Sequence, residues 1–212
     1  MAQPRPTLCD DMDVSRETCD RLRDFADLLT IWSGKINLIS ASTVPTIWER
    51  HILDSMQLFP ISEPSGRHWC DLGSGGGMPG LVMAILGKEH RPLTFFTLIE
   101  SDARKAAFLK HVIQRQDLHA QVITKRIETA EPQNADVISA RALAPMDRLL
   151  GYVFRHGAED SAAFLLKGQH YLREMEAASR FWRFSADLIQ SKTDENSRIL
   201  KIRKLEPKDR PT

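Results

Sequence analysis

Hydrophobic residues in the first third of the chain recur at the spacing of amphipathic helices. Apolar positions repeat every three or four residues from Ser15 to about Trp32, which predicts a first helix. A further run of the same period predicts a second helix after Pro45. The turn-rich segment PISEPSG, at 60–66, then predicts a linker. We therefore expect a helical extension over residues 1–64.

From Arg67 onward, short apolar runs alternate with stretches of helical periodicity. The runs HWCDL, TFFTLIE, AQVIT, ADVISA and AAFLLK predict strands. Such alternation is typical of a doubly wound, mostly parallel sheet with helices on both faces. Near the end, ADLIQSKT and SRILKIRKL flank the turn-like DEN and predict an antiparallel hairpin at the sheet edge. The fold class predicted for residues 65–212 is therefore α/β and Rossmann-like.

Composition and cysteine usage narrow the class of protein. Hydrophobic residues make up 42% and charged residues 27%, as in ordinary globular domains. No apolar run approaches the roughly 20 residues of a membrane span, and the N-terminus lacks the basic start and apolar core of a signal peptide. Cys9, Cys19 and Cys70 show no C-x-x-C spacing, so neither a zinc site nor a disulfide framework is indicated. A cytoplasmic location fits best.

Charge is unevenly distributed along the chain, although the formal net charge is only +1. Residues 1–64 contain six Lys and Arg against ten Asp and Glu, whereas residues 65–212 contain 23 against 18. The mildly basic second part is compatible with a nucleic-acid partner, but it is far from the pI above about 9 that would indicate one alone. Charge therefore does not decide the function.

The glycine-rich stretch DLGSGGGMPG lies at the first predicted strand-to-helix turn. Such a turn presents backbone N–H groups and a helix N-terminus at the carboxyl edge of the first strand. Glycines at this position allow tight backbone geometry and the close approach of a ligand. The stretch is therefore a candidate site for a nucleoside or a phosphate, with a tight turn that holds no ligand as the simpler alternative.

Two binding templates match this stretch. The dinucleotide pattern G-x-G-x-x-G fits Gly75, Gly77 and Gly80. The methyltransferase pattern D/E-x-G-x-G-x-G fits Asp71, Gly73, Gly75 and Gly77. Either match is weak in isolation, because a run so rich in glycine satisfies many templates.

Three further features favour S-adenosylmethionine as the ligand. Asp71 ends the first strand, where methyltransferases of this fold place a carboxylate near the loop and the methionine amino group. Glu100 ends the next strand, where an acidic side chain accepts both ribose hydroxyl protons, a feature that serves NAD equally. A short-chain dehydrogenase needs a tyrosine with a lysine four residues on, and neither Tyr152 nor Tyr171 has one. A Walker-type G-K-[S/T] is also absent from the sequence.

Several blocks of sequence together resemble a known family. NLIS, HILDSMQL, DLGSGGGMPGLVMAI, LIESDARKAAFLK, RIET, ISARALAP and LLKGQ occur in this order over about residues 37–169. They are similar to the bacterial glucose-inhibited division protein B family, the 16S rRNA guanine-N7 methyltransferases (RsmG). The resemblance implies a class I methyltransferase fold, S-adenosyl-L-methionine as cofactor, and methylation of guanine 527 at N7 near the decoding site. We expect a monomer whose partner is 16S rRNA or the small ribosomal subunit, with no membrane partner.

The resemblance also assigns residues to the cofactor pocket. Gly73 and Met78 are implied to line it from the loop, and Glu100 to hold the ribose. Ile127 and Glu128, just after the third strand, are implied to flank the adenine. Phe or Leu is frequent in the family where this chain has Met78, so the methionine is a mild departure that keeps an apolar contact.

The same resemblance supplies candidates for the catalytic site. Arg141, in SARALAP, is implied to lie at the end of the fourth strand beside cofactor and substrate. His51, Asp54 and Ser55 match an H-x-x-D-S block of the family, and Lys167 matches its L-K-G block. We take Asp54, Arg141 and Lys167 as the catalytic candidates.

Guanine N7 chemistry limits what these residues need to do. N7 carries a lone pair and no proton, so its methylation needs no general base, and positioning alone can supply roughly 7–11 kcal/mol. Methylation places positive charge on the purine, which a carboxylate such as Asp54 stabilises. The simpler alternatives for the preceding helix are Asp54 and Ser55 as helix-surface or capping groups, an Asp54 pair with Arg50, and a purely structural His51. For the strand ends they are Arg141 as a phosphate clamp and Lys167 as a lysine extending from a strand end.

Three other functions compete with rRNA methylation. They are a methyltransferase with another acceptor, a non-catalytic S-adenosylmethionine-binding ribosome factor, and a nicotinamide oxidoreductase.

Basic residues in the second part of the chain form a candidate phosphate-binding surface. They favour an RNA substrate, because phosphate contacts dominate RNA affinity. These candidates are Arg104, Lys105, Lys110, Lys125, Arg126, Lys201, Arg203 and Lys204.

Overall fold

The N-terminal part of the fold begins with the predicted first helix. The computed structural model describes residues 14–62 and 66–208. Helix α1 spans Arg16–Ser33, and the Ser15 hydroxyl caps it by accepting a hydrogen bond from the backbone N–H of Thr18 at 3.2 Å. The predicted apolar face of α1 is buried, so this prediction is confirmed.

The predicted second helix is present after Pro45, but its geometry is irregular. The segment instead consists of a 3₁₀ helix at Ala41–Thr46, a π-helical turn at Trp48–Leu53 and the short helix α2 at Asp54–Met56. Pro45 lies inside the 3₁₀ helix and has no N–H to donate there. A π turn inserts an extra residue into the helical repeat, and such turns frequently occur at functional sites. We call residues 14–62 the preface.

Seven strands form one mixed sheet in the order β3-β2-β1-β4-β5-β7-β6. Strands β1 to β5 run parallel, and β7 pairs antiparallel with both β5 and β6. The predicted doubly wound sheet with an antiparallel hairpin at its edge is therefore confirmed. The strands are β1 (His68–Leu72), β2 (Phe95–Ile99), β3 (Ala120–Ile123), β4 (Ala135–Arg141), β5 (Gly157–Lys167), β6 (Trp182–Gln190) and β7 (Arg198–Pro207).

Four further helices cover the two faces of the sheet. Asp102 caps the second of them by accepting from the backbone N–H groups of Arg104 and Lys105. The last helix ends at Ala178, and the chain enters β6 at Trp182. The helices are α3 (Gly80–His90), α4 (Ala103–Gln116), α5 (Met146–His156) and α6 (Tyr171–Ala178).

The core is divided by the sheet into two hydrophobic clusters. On one face, Trp69 stacks between Phe96 and Phe164, with ring centroids 6.0 and 6.2 Å away. Helices α1, α3 and α4 pack on this face, so the preface and the sheet share one core. Helices α5 and α6 cover the other face. The predicted division at residue 64 falls within 63–65, outside the described residues, and stays a prediction.

The cysteines differ from the expectation drawn from their spacing. Cys19 is disulfide-bonded, so the expectation of no disulfide is wrong for this residue. Spacing along the chain does not report distance in space, which explains the difference. Cys70 is a free thiol buried in β1, where burial raises its pKa.

Among the described residues, the structure has no helix long and apolar enough to cross a membrane.

The topology brings the predicted site residues to one edge of the sheet. The connection after β1 leads to α3 on one face, and the connection after β4 leads to α5 on the other. Adjacent parallel strands whose connections diverge open a crevice at their carboxyl ends, where ligands bind in such sheets. The glycine loop follows β1 and Arg141 ends β4, so both lie at this crevice.

Candidate active site

A cavity of about 490 Å³ lies at the crevice between the carboxyl ends of β1 and β4. We call it the first cavity. Its walls come from the glycine loop, the ends of β2 and β4, and the segment after β3. The predicted cofactor residues that line it are Gly73, Gly75, Met78, Glu100, Ile127, Glu128 and Arg141.

The glycine loop reaches this cavity through backbone conformations that favour glycine. Gly73, Gly75 and Gly77 have φ values of +68°, +54° and +92°. A Cβ on Gly73 would lie 2.4 Å from Cδ1 of Leu143, and one on Gly77 would lie 2.5 Å from Cδ1 of Leu81. Gly77 faces helix α3 and does not line the cavity, so it shapes the loop rather than contacting a ligand.

Asp71 lies beneath the loop and outside the cavity lining. Its side chain is 2% exposed, and Oδ1 accepts a hydrogen bond from the Ser139 hydroxyl at 2.6 Å. A Cβ on Gly80 would lie 2.7 Å from Oδ2, so the carboxylate is packed against the start of α3. Burial raises the pKa of Asp71 to about 6, partly opposed by the Ser139 hydrogen bond. Asp71 therefore supports the loop from beneath, and its contact with a methionine amino group stays a prediction.

Glu100 joins the loop to the end of β2 and keeps capacity for a ligand. Its Oε2 accepts from the backbone N–H of Gly75 at 2.8 Å, and its Oε1 accepts from that of Asp102 at 2.7 Å. An ionised carboxylate offers about four lone-pair sites, so each oxygen can accept one more hydrogen bond. Glu100 is thus placed to receive two neighbouring hydroxyl groups, as the ribose prediction requires.

The segment after β3 and helix α5 also contribute to the walls of the first cavity. Ile127 is buried, and its carbonyl accepts from Nε2 of His156 at 2.9 Å. Glu128 is exposed, and the Tyr152 hydroxyl donates to its Oε1. Tyr152 also lines the cavity, a position the sequence did not indicate because its contact crosses from α5 to another segment.

Arg141 is held by three acceptors that all come from the preface. Its Nη2 donates to the carbonyl of Arg50 at 2.8 Å and lies 3.1 Å from Nδ1 of His51, while its Nε lies 3.5 Å from Oδ2 of Asp54. Its Nη1 is buried and has no hydrogen-bond partner within the part of the chain that the structure describes. A buried donor of this kind can donate to a bound ligand or to water.

The contacts of His51 determine its protonation state. An arginine has no acceptor, so Nδ1 of His51 must accept from Arg141, and the ring proton lies on Nε2, 2.8 Å from the Thr43 hydroxyl. Burial, with the charges of Arg141 and Arg50, lowers the pKa of His51 to about 4. The Ser55 hydroxyl donates to the His51 carbonyl at 2.7 Å and is fully buried. Both residues therefore hold the preface together, as the structural alternative for His51 predicted.

A second cavity, of about 310 Å³, adjoins the first and shares Arg141 and Ala142 with it. Asp54 and Lys167 line this second cavity but not the first. Asp54 pairs with Arg141 at 3.5 Å, and Arg50 pairs with Asp194 at 3.7 Å, so the alternative that pairs Asp54 with Arg50 is wrong. The structure therefore brings the three predicted catalytic residues together around a cavity beside the cofactor residues.

Lys167 is fixed at the end of β5 by two hydrogen bonds. Its ammonium donates to the carbonyl of Ala144 at 3.0 Å and to Oε2 of Glu174 at 2.6 Å. The residue is only 8% exposed, so it does not extend freely into solvent. An ammonium has three donors, and the third is available on the wall of the second cavity.

The turn between β6 and β7 supplies residues that the sequence did not indicate. Ser191, Thr193, Asp194 and Arg198 line the second cavity. The Thr193 hydroxyl donates to Asp54 across 139 positions of sequence. The polar composition of this turn predicted only a turn, because a contact over such a separation leaves no local pattern.

The basic residues predicted to bind phosphate do not all lie on one exposed surface. Lys105, Lys125 and Arg126 line the first cavity. Lys201 is buried in β7, with its ammonium 5.5 Å from the centre of the Phe164 ring. The prediction of an exposed phosphate-binding residue is therefore wrong for Lys201, whereas three of the other cations lie beside the candidate cofactor site.

A known family model matches most of this chain. A family model described as "GidB: rRNA small subunit methyltransferase G" matches residues 18–200. Three similar proteins carry the name ribosomal RNA small subunit methyltransferase G. The one from a Ruegeria species is 47% identical, covering 92% of this chain and 95% of its own. The one from Paramagnetospirillum magneticum is 46% identical, covering 91% of this chain and 91% of its own. The one from Bartonella henselae is 47% identical, covering 89% of this chain and 88% of its own.

Solved structures share the fold at low sequence identity. A TehB-like SAM-dependent methyltransferase from Corynebacterium glutamicum superimposes with a TM-score of 0.55 at 14% identity, covering 73% of this chain and 88% of its own. A SAM-dependent methyltransferase from Aquifex aeolicus gives 0.55 at 11% identity, with coverages of 75% and 92%. M. jannaschii TYW2, solved in complex with AdoMet, gives 0.54 at 14% identity, with coverages of 74% and 76%. The fold is that of class I S-adenosylmethionine-dependent methyltransferases.

Proposed function

The chain belongs to the rRNA small subunit methyltransferase G family, and on this premise we propose that it methylates N7 of a guanine in 16S rRNA, at position 527 by resemblance. The cofactor of this family's fold is S-adenosylmethionine. The proposed partner is the small ribosomal subunit or its RNA, which places the proposed reaction in the cytoplasm.

The residues of the first cavity fit S-adenosylmethionine. Glu100 keeps two lone pairs for the ribose hydroxyls, and the glycine loop lets a ligand approach its backbone closely. The buried, unpartnered Nη1 of Arg141 suits a carboxylate such as that of the methionine moiety. Held by these residues, the cofactor would supply an electrophilic methyl group to the N7 lone pair, and its sulfur would keep the electron pair of the C–S bond.

The observation that carries the proposal is the position of Arg141 between the two cavities. The same guanidinium lines the cofactor cavity and lies 3.5 Å from the Asp54 carboxylate in the second. An acceptor base in the second cavity would therefore lie beside the cofactor, with one side chain contacting both sites. Such positioning is the main requirement of a transfer to a ready nucleophile.

The electrostatics of the second cavity suit a nucleophile that loses no proton. His51, which lines the adjoining first cavity, is neutral and uses both ring nitrogens in hydrogen bonds, so it does not act as a general base. Asp54 supplies a carboxylate that stabilises positive charge as it develops on the purine. The third donor of Lys167 suits an oxygen of the base or of a phosphate group.

The test is methyl transfer from labelled S-adenosylmethionine to small ribosomal subunits from cells that lack this protein. Chain scission at 7-methylguanine maps the labelled position. We expect one labelled guanine, at position 527. Label at another atom or base would show a different acceptor. Tight S-adenosylhomocysteine binding with no label in any RNA would instead indicate a binding-only factor.

A further inference from the structure

The Asp54 carboxylate is held by donors from two distant parts of the chain. Its Oδ1 accepts from the Thr193 hydroxyl at 2.7 Å and from Nε2 of Gln57 at 2.9 Å. Gln57 also contacts the β6–β7 turn, because the backbone N–H of Lys192 donates to its Oε1 at 2.9 Å and its Nε2 lies 3.2 Å from the Ser191 hydroxyl. One carboxylate and one amide therefore connect the preface to this turn.

This connection is largely shielded from water. Gln57 and Ser191 are each 6% exposed, and the Asp54 side chain is 16% exposed. Hydrogen bonds in such surroundings are electrostatically stronger than in water, and a satisfied network fixes one arrangement of its members. Both neutral donors act on Oδ1, so Oδ2 is the oxygen that faces Arg141 on the wall of the second cavity.

We propose that the β6–β7 turn is a wall of the acceptor site, and that Thr193 and Gln57 are positioning residues for the Asp54 carboxylate. The proposal rests on the proposed function, since it assigns the second cavity to the acceptor purine nucleotide. By fixing Oδ1, the two donors hold Oδ2 in place as positive charge develops on the base. Lys167 and Arg198 line the same cavity and suit the phosphate groups of that nucleotide.

The first test compares Thr193→Val, which removes the hydroxyl at nearly constant volume, with Thr193→Ser, which keeps it. We measure kcat and KM for methyl transfer to small ribosomal subunits, and the affinity for S-adenosylhomocysteine separately. Thr193→Val is expected to lower kcat about tenfold, the order of one hydrogen bond to a charged group. The KM for subunits and the S-adenosylhomocysteine affinity stay within about twofold, and Thr193→Ser restores kcat to within about threefold of wild type.

A double-mutant cycle tests whether Thr193 acts through Asp54. In an Asp54→Asn background, Thr193→Val is expected to change kcat by less than about twofold, because the group it positions is already altered. Thr30→Val serves as the matched control, since this hydroxyl donates within α1 to the carbonyl of Ala26 and lines neither cavity. It should leave kcat and KM unchanged.

The outcomes separate this inference from the proposed function. An active wild-type enzyme whose kcat is unchanged by Thr193→Val overturns the positioning role alone. The same follows if Thr193→Val lowers the cofactor affinity and the melting temperature together with kcat and Thr193→Ser does not rescue it, because that pattern indicates a structural residue. If the wild-type protein binds S-adenosylhomocysteine but methylates no small subunits, both the proposed function and this inference are overturned.

Discussion

Replacing Glu100 by glutamine should weaken cofactor binding by roughly 100-fold. Each Glu100 oxygen accepts from one backbone N–H group, of Gly75 or Asp102, and has one lone pair left for a ribose hydroxyl. Glutamine turns one of these oxygens into an amide NH₂, which then faces a backbone donor. A hydrogen bond to a charged group contributes about 1.5–3 kcal/mol, and a neutral one contributes about 0.5–1.5 kcal/mol. Two weakened ribose contacts and one mismatched donor therefore reduce the binding free energy by about 3 kcal/mol in total.

Calorimetric titration with S-adenosylhomocysteine measures this loss directly. Glu131→Gln is the matched control, because this residue is exposed and lines neither cavity, and its Kd should equal that of wild type. An analogue that lacks both ribose hydroxyls separates the ribose contact from the loop contact. Its binding should weaken less than tenfold in Glu100→Gln. A Kd for S-adenosylhomocysteine within threefold of wild type would refute the assignment of Glu100 to the ribose.

Three further predictions concern the residues around the two cavities. Asp54→Asn should lower kcat for methyl transfer at least tenfold with unchanged S-adenosylhomocysteine affinity, and a wild-type rate would contradict its role on the developing charge. His51→Phe removes an acceptor of Arg141 and should lower kcat about tenfold, whereas His51→Asn keeps an acceptor and should stay within about threefold. With a pKa of about 4, His51 should add no limb to the pH–rate profile between about pH 5.5 and 8. The raised pKa of Asp71 means that the folded state binds its proton more tightly than the unfolded state does, so this group lowers stability by about 3 kcal/mol as pH rises from about 4 to about 6. Other carboxylates, such as Asp24 and Asp117, have lowered pKa values and act in the opposite direction. Denaturant unfolding at pH 4 and 7 should therefore show the fall as a difference between wild type and Asp71→Asn, and an equal pH dependence of the two proteins would contradict it.

The strands and the glycine loop could be predicted because their signals are local. Apolar runs of four to eight residues, flanked by polar turns, mark buried strands without reference to the rest of the chain. The loop could be predicted from its glycines, because Gly73, Gly75 and Gly77 each adopt a backbone conformation with positive φ that favours glycine. Glu100 was located by the end of its strand, because the carboxyl ends of neighbouring parallel strands meet at one edge.

The parts that escaped prediction depend on contacts between distant segments. The π-helical turn at Trp48–Leu53 has the apolar content of an ordinary helix, so its sequence carries no sign of the extra residue. The burial of Asp71 beneath the loop follows from Ser139 on the neighbouring strand and from the close approach of Gly80. The link from Thr193 to Asp54 depends on where the last hairpin lies relative to the preface, which no spacing encodes.

The geometry of Arg141 explains why the preface belongs to the active site rather than beside it. Strand β4 can place a guanidinium at the crevice, but its direction is set by Arg50, His51 and Asp54, all within or next to the π-helical turn. The Arg50 acceptor is a backbone carbonyl, whereas the His51 and Asp54 acceptors are side chains three residues apart, a spacing that a helical repeat brings to one side. These three acceptors meet at one guanidinium. The preface therefore orients the residue that both cavities share.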